Sequence, residues 1–198
     1  INLMQCLVQH PIIVGNQGES LIRLHNVYAK YILLNQNFHG DLKISGDKPQ
    51  LGIRRIFAKS GFVGHMDLSN NNVVERIELG KNAEGSVELI GTSSIKIVRL
   101  GENFSGKLDG RESGLVYLSA GSPCSGEFIL NDTTRLAEMK LPKSATYRVY
   151  GATKPTKIIK QKQYVIYKFK NITLPKSYYQ SRFPYSIWQK LAAPFTQE

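Results

Sequence analysis

Cysteine is scarce in this chain: Cys6 and Cys124 are the only two among 198 residues. That excludes a disulfide-stapled scaffold, and the pair forms no C-x-x-C redox motif. Cys6 and His10 have a ligand-like spacing, but no second ligand pair follows, so neither a metal nor a cofactor is expected. Long apolar runs are also missing. No window approaches the roughly 18–20 apolar residues that cross a bilayer, so a transmembrane protein is not expected. The opening stretch, INLMQCLVQHPIIVG, lacks a basic region and is broken by Gln5, Gln9 and His10, which does not read as a signal peptide. The first residue is not Met, which fits a fragment or a processed product of a soluble protein.

Acidic residues are nearly absent from one part of the sequence. Residues 1–139 hold 14 Lys/Arg and 14 Asp/Glu, whereas residues 140–198 hold 12 Lys/Arg and a single acid, Glu198. The net charge of +11 therefore belongs entirely to the C-terminal stretch, along with seven of the ten tyrosines and the only tryptophan, Trp188. A neutral body over 1–151 and a basic, aromatic cap or appendage over 152–198 are the expected units, on a length that suits one domain with an extension.

The body is repetitive. Gly40, Gly64, Gly85, Gly106 and Gly126 are separated by 24, 21, 21 and 20 residues. Around them the sequence falls into apolar columns. Eight before each glycine stand Ile32, Ile56, Ile77, Val98 and Leu118, and six before stand Leu34, Ala58, Leu79, Leu100 and Ala120. Two after come Leu42, Met66, Val87, Leu108 and Phe128; four after come Ile44, Leu68, Leu89, Gly110 and Leu130. Phe38, Phe62, Ala83, Phe104 and Cys124 form a column two before, and Asn37, Asn82 and Asn103 recur three before. A further coil is expected with Tyr147 at the glycine position and Met139, Leu141 and Val149 inward, and another between Ile12 and Leu24. Each copy holds short period-2 runs between Gly, Asn and Ser turns, which means strands too short to bury an apolar face alone. The expected fold is all-β: a single-stranded parallel β-helix of about seven coils of ~21 residues, roughly 34 Å tall at one rung per ~4.8 Å, with a C-terminal strand and helix as cap. The phenylalanine column becomes an aromatic stack, and the asparagines a turn ladder in left-handed backbone. This repeat over residues 12–151 resembles right-handed parallel β-helix proteins in general, and is loosely similar to the bactofilin scaffolds, whose rungs also recur around glycines. The resemblance carries no functional residues, and the basic tail departs from it.

Several strings invite a chemical reading. LGENFSGKLDG, residues 100–110, comes close to a phosphate-binding loop, but Leu108 replaces the metal-binding hydroxyl and a strand follows where a helix is required. Asp67, Glu88 and Asp109 recur three past the glycine and would form an outward row of carboxylates on adjacent rungs. Like charges in such a row call for an explanation, either a sugar-processing or cation-binding groove or a solvated face relieved by cations such as Lys107. The triplets at Asn103, Asn131 and Asn171 match the glycosylation pattern, with Asn103 claimed by the ladder. His39 and His65 fall about one rung apart without a serine–aspartate partner set.

The tail carries the clearest binding signal. In KPTKIIKQKQYVIYKFKN, Val165, Tyr167 and Phe169 alternate with Ile166, Lys168 and Lys170, a strand with one aromatic and one mostly basic face. SRFPYSIWQKLAAPF reads as a short helix between Pro184 and Pro194 with Ile187, Trp188, Leu191 and Ala192 on one side. A solenoid needs a cap over its open end, and an apolar stripe provides one. The remaining cations would attract phosphates or carboxylates. The expected partner-binding residues are Lys154, Lys157, Lys160, Lys162, Lys168, Lys170, Lys176, Arg182, Tyr167 and Trp188. The leading expectation is a non-enzymatic binding or scaffold module that contacts an acidic partner: nucleic acid, anionic lipid or an acidic protein. The alternative is a polysaccharide-binding or polysaccharide-degrading protein, a hydrolase or lyase if an enzyme, using Asp67, Glu88 and Asp109. End-to-end self-assembly is a third use.

Overall fold

The computed structural model describes residues 1–8, 10–15, 20–46, 52–133, 135–148, 155–170 and 174–180. Its strands alternate between two sheets. They begin with β1 (Asn2–Met4), β2 (Ile12–Val14), β3 (Ser20–His25), β4 (Ile32–Leu34), β5 (Gly40–Ser45) and β6 (Arg55–Ala58). The middle rungs are β7 (Val63–Asp67), β8 (Arg76–Leu79), β9 (Glu84–Glu88), β10 (Ile97–Leu100), β11 (Ser105–Asp109) and β12 (Tyr117–Ala120). The C-terminal elements are β13 (Glu127–Ile129), β14 (Glu138–Pro142), β15 (Thr146–Arg148), β16 (Lys157–Lys160), β17 (Tyr164–Lys168) and a one-turn helix, α1 (Lys176–Tyr179). Odd-numbered strands from β1 to β15 make one eight-stranded parallel sheet; β2 to β14 supply seven parallel strands to the other, and β17 and β16 extend it. The result is a parallel β-solenoid of about six full turns of about 21 residues.

The repeat columns become ladders in the pairing register. Ile56 sits opposite Ile77, Met66 opposite Val87, and Leu108 opposite Phe128. The inward columns, apart from the side-chain-free Gly110, are buried and merge into one continuous core. A sixth inward column, absent from the repeat as read, runs along the short third side: Ala29, Ile53, Val74, Ile95, Leu115 and Leu136. Phe38 stacks on Phe62 with centroids 6.1 Å apart and planes 10° apart, and Phe104 meets Phe128 at 6.1 Å. Ala83 and Cys124 flank Phe104 in the ladder, so its ring partner, Phe128, comes from the column two after the glycine. Each buried phenylalanine contributes about 2 kcal/mol through burial alone.

Two corners turn each coil. At the first, Asn37, Asn82 and Asn103 have φ of 55°, 57° and 59°, and the Asn103 amide donates to Asn82 Oδ1 at 2.8 Å. Asparagine tolerates left-handed backbone because its short amide bonds locally, and here it also links rungs. At the second, Asn26, Asn70, Glu112 and Asp132 adopt the same conformation. Beside that corner Asn71, Thr92, Ser113 and Thr133 are buried, and each bonds backbone: Thr92 Oγ1 donates to the Leu68 carbonyl at 2.6 Å, and Asn71 Oδ1 accepts from Val73 and Val74. These side chains satisfy backbone groups that the sharp turn leaves without a ladder partner.

The last coil departs from the expected register. Tyr147 pairs with Phe128, two places past the glycine position, because the turn after Pro142 is two residues shorter than in earlier coils. Ala145 occupies the glycine position, and Val149 lies outside the described residues. Past this coil, β17 runs antiparallel along β14 and β16 antiparallel along β17. Phe169 is buried in the core cluster and Tyr167 packs against it, with the Tyr147 ring 4.8 Å away. The hairpin therefore covers the C-terminal end of the core. At the other end β1 and β2 are the outermost strands of their sheets.

The two sheets differ on their outer faces. The first alternates buried and exposed residues, as in Leu42, Lys43 and Ile44. The second is closed over on its outer face along part of its length: outward Tyr31, Leu33 and Phe57 cluster together, and Arg76, Glu78, Tyr117 and Glu138 are nearly closed off. The segment 174–180 supplies part of that cover, with Leu174 against Ile97, Tyr117 and Ala137.

Candidate functional site

Asp67, Glu88 and Asp109 do occupy facing positions on β7, β9 and β11. Asp67 holds Lys43 Nζ at 2.7 Å and accepts the Ser69 amide at 3.1 Å. Asp109 accepts two bonds from the Arg111 guanidinium, both at 2.8 Å, and lies 3.5 Å from Lys107 Nζ. The expectation of an open, outward Asp109 is corrected here: Arg111 folds over it and leaves its side chain 2% exposed. Burial alone would raise both carboxyls, but the bonds from Lys43 and Ser69 outweigh it at Asp67, and those from Arg111 and Lys107 at Asp109, so both titrate below the ordinary range. A glycosidase needs one carboxyl raised to donate a proton. Two of these three are pushed the opposite way.

The tail residues separate by strand alternation. On β17, Lys168 faces outward and lies 3.5 Å from Glu138 Oε2, while Lys157 of β16 is its neighbour in the same row. Lys160 points to the opposite face of that edge strand, Lys162 sits in the hairpin turn, and Lys170 and Lys176 are exposed. Tyr167, expected to touch a partner, turns inward to the core because its alternation matches Met139, its partner on β14. Lys154, Arg182, Trp188 and the helix expected between Pro184 and Pro194 lie outside the described residues. Lysines on an edge strand also protect it from pairing with another chain, which accounts for Lys157 and Lys160 without any ligand.

A third feature is a cleft of about 690 Å³ on the outer face of the second sheet. Its floor is the outward row Glu78, Arg99, Ser119 and Lys140 on four consecutive rungs. Gly80, Gly101 and Gly121 line one wall, with Lys59 and Lys81 nearby, and Tyr117, Tyr164 and Tyr179 contribute aromatic surface. The glycine wall has a steric cause. A Cβ on Gly101 would sit 2.5 Å from the Gly80 backbone, and one on Gly121 would sit 2.5 Å from Glu102 N. Stacked rungs approach too closely there for side chains, so the wall is bare backbone.

Several contacts fix the shape of this cleft. Arg76 bonds Glu78 at 2.5 Å through Nε and uses its other nitrogens on the carbonyls of Ser177 and Gln180. Arg99 Nη2 donates to the Tyr178 carbonyl, and its guanidinium lies 5.8 Å from the Tyr117 ring centre. Arg99 Nε is buried without a hydrogen-bond partner among the described residues. Burial lowers the Arg99 pKa, against the opposing pull of Glu78, and burial likewise lowers the Lys59 ammonium. Lys140 Nζ stands 4.4 Å from the Tyr164 ring centre. Tyr179 bonds Glu138 at 3.2 Å, and burial with the Glu138 charge pushes its phenol up to about 12.

Neither Arg99, Ser119 nor Lys140 stood out in the sequence. The signal was present: Leu33, Phe57, Glu78, Arg99 and Ser119 recur seven before each glycine, and Lys140 follows 21 residues after Ser119, between two inward columns. Their significance depends on segment 174–180 folding back some 80 to 100 residues later, which no local pattern announces.

The fold places the chain among parallel β-solenoid proteins. Comparison with protein families, curated proteins and solved structures finds no significant match. Among the described residues no helix is long and apolar enough to cross a membrane, and no group of three or more His, Cys, Asp or Glu is placed to hold a metal ion.

Proposed function

We propose that this solenoid is a binding module that holds an acidic macromolecule against the C-terminal end of its second sheet. The observation that carries the reading is the confinement of the whole positive excess to residues 140–198. Lys157, Lys162, Lys170 and Lys176 are exposed there, and Lys140 and Lys168 stand on the outward face of the same sheet. Counter-ion release makes such binding strongly salt-dependent and only weakly selective for sequence or shape. With Tyr167 turned inward, contact falls to the cations rather than to ring stacking by that residue.

The experiment is binding of the full chain to single-stranded DNA, to heparin and to anionic vesicles across a salt series. Affinity is expected to fall about tenfold or more between low and physiological salt, and replacing Lys157, Lys162 and Lys170 by Gln is expected to flatten that slope. Absence of salt-sensitive binding to all three polyanions defeats the proposal. The carbohydrate reading draws support only from the in-register row of Asp67, Glu88 and Asp109. Unchanged glycan binding or turnover after converting all three to amides removes it.

A further inference from the structure

We infer that the cleft over β8 to β14 is a site for a compact ligand bearing a phosphate or sulfate group, seated on Ser119 between Arg99 and Lys140. The row runs Arg99, Ser119, Lys140 on successive rungs, so the two cations start roughly 9–10 Å apart at their Cα atoms. Between them stands a small side chain, and its hydroxyl lies beside the Tyr117 phenol. A tetrahedral oxyanion held from both sides at about 2.8 Å needs roughly 8 Å between the flanking nitrogens, which long side chains leaning over a serine supply. The notch therefore has the width, the charge and a hydroxyl donor at its base.

Three further observations favour a ligand over a merely solvated basic patch. No described carboxylate lies within ion-pair distance of Arg99 or Lys140: Glu78, whose charge still acts on Arg99, bonds Arg76, and Glu138 pairs with Lys168. Arg99 is already partly desolvated, which strengthens a charge-assisted bond made by its guanidinium in the cleft. The space is also larger than one anion needs. A volume of about 690 Å³ falls in the range of small-molecule sites, and its glycine wall and Tyr164 and Tyr179 offer bare backbone and ring surface to an uncharged remainder. The ligand class is thus a phosphate or sulfate ester of a small, hydroxyl-bearing body, distinct from a polyanion lying along the tail lysines.

The test is calorimetric titration of the full chain with inorganic phosphate, inorganic sulfate, a hexose 6-phosphate and the uncharged hexose. Saturable binding of the ester is expected, weaker binding of the free anions, and none of the hexose. Ser119→Leu fills the notch without changing charge, and Lys140→Gln removes one cation. Each is expected to weaken ester binding by at least about tenfold. Ser119→Leu is also expected to leave salt-dependent DNA binding as it was, so this proposal and the polyanion reading fail separately. If Ser119→Leu does not fold, Ser119→Ala carries the test, because it removes the hydroxyl at the base of the notch and leaves Lys140, a cation of the proposed polyanion face, in place. The inference is overturned if the wild-type chain binds neither ester nor free anions, if it binds the hexose equally, if the variants bind like wild type, or if Ser119→Leu abolishes DNA binding as well.

Discussion

Replacing Gly85 by Ala tests the physical basis of the repeat. Gly85 has φ of +116°, a region L side chains rarely adopt, and a Cβ there would lie 1.9 Å from the carbonyl oxygen of Gly64 on the rung below. Two costs combine. Holding a residue with a Cβ in that backbone region costs about 1–3 kcal/mol. Relieving contact with a rigid backbone oxygen requires the rungs to part, an overpacking cost of about 1–3 kcal/mol more. A loss of about 4 kcal/mol is therefore expected, a large share of the 5–15 kcal/mol that holds a typical domain together. For a chain of this size it lowers the melting temperature by about 10 °C. The control is Gly15→Ala, where no atom of the described residues beyond its chain neighbours lies within 4 Å of the added methyl. That variant is expected to stay within about 0.5 kcal/mol of wild type. Equilibrium urea unfolding of both variants gives the comparison. If Gly85→Ala unfolds at the wild-type midpoint, close rung contact is not what places glycine in this column.

Two further tests address the core and the charged face. Phe104→Ala empties a fully buried site beside Phe128 and should cost about 3–5 kcal/mol in the same assay, with the second sheet's cleft left intact. Asp67 and Asp109 titrate below the ordinary aspartate value in the folded chain. Their contribution to stability is therefore complete above about pH 4 and is lost as pH falls through the lower folded values. The urea midpoint of the wild-type chain should drop between about pH 5 and pH 2, and that part of the drop should shrink in an Asp67→Asn, Asp109→Asn double variant. An identical acid profile in the double variant refutes the role given to Lys43 and Arg111.

What the sequence by itself determined is the solenoid. Columns of Ile, Leu, Val and Phe at a spacing of about 21 residues can bury their apolar faces only by stacking, and asparagine and glycine at fixed offsets mark where the backbone must turn left-handed. The alternation of β17 was legible, but not which face turns inward: Tyr167, expected on a partner, packs on the core. Tertiary structure decided the rest. The third-side column from Ala29 to Leu115 stands eleven before each glycine, with Leu136 21 residues further on, but a lone apolar residue among turn residues has no period-2 run beside it to mark it as inward. Asp109 reads as an open acid in sequence, and only the folded chain lays Arg111 across it. The shortened last turn moved Tyr147 off the glycine position, a shift no column could register. The cleft depends on a contact of the same kind: Arg76 and Arg99 grip the carbonyls of residues 177–180 from a hundred or so positions away. Ladder formation is local and repeated, so it is written many times over in the sequence. A cover over one sheet face is made once, by long-range contacts to backbone carbonyls that any residue could provide, and so leaves no pattern to read.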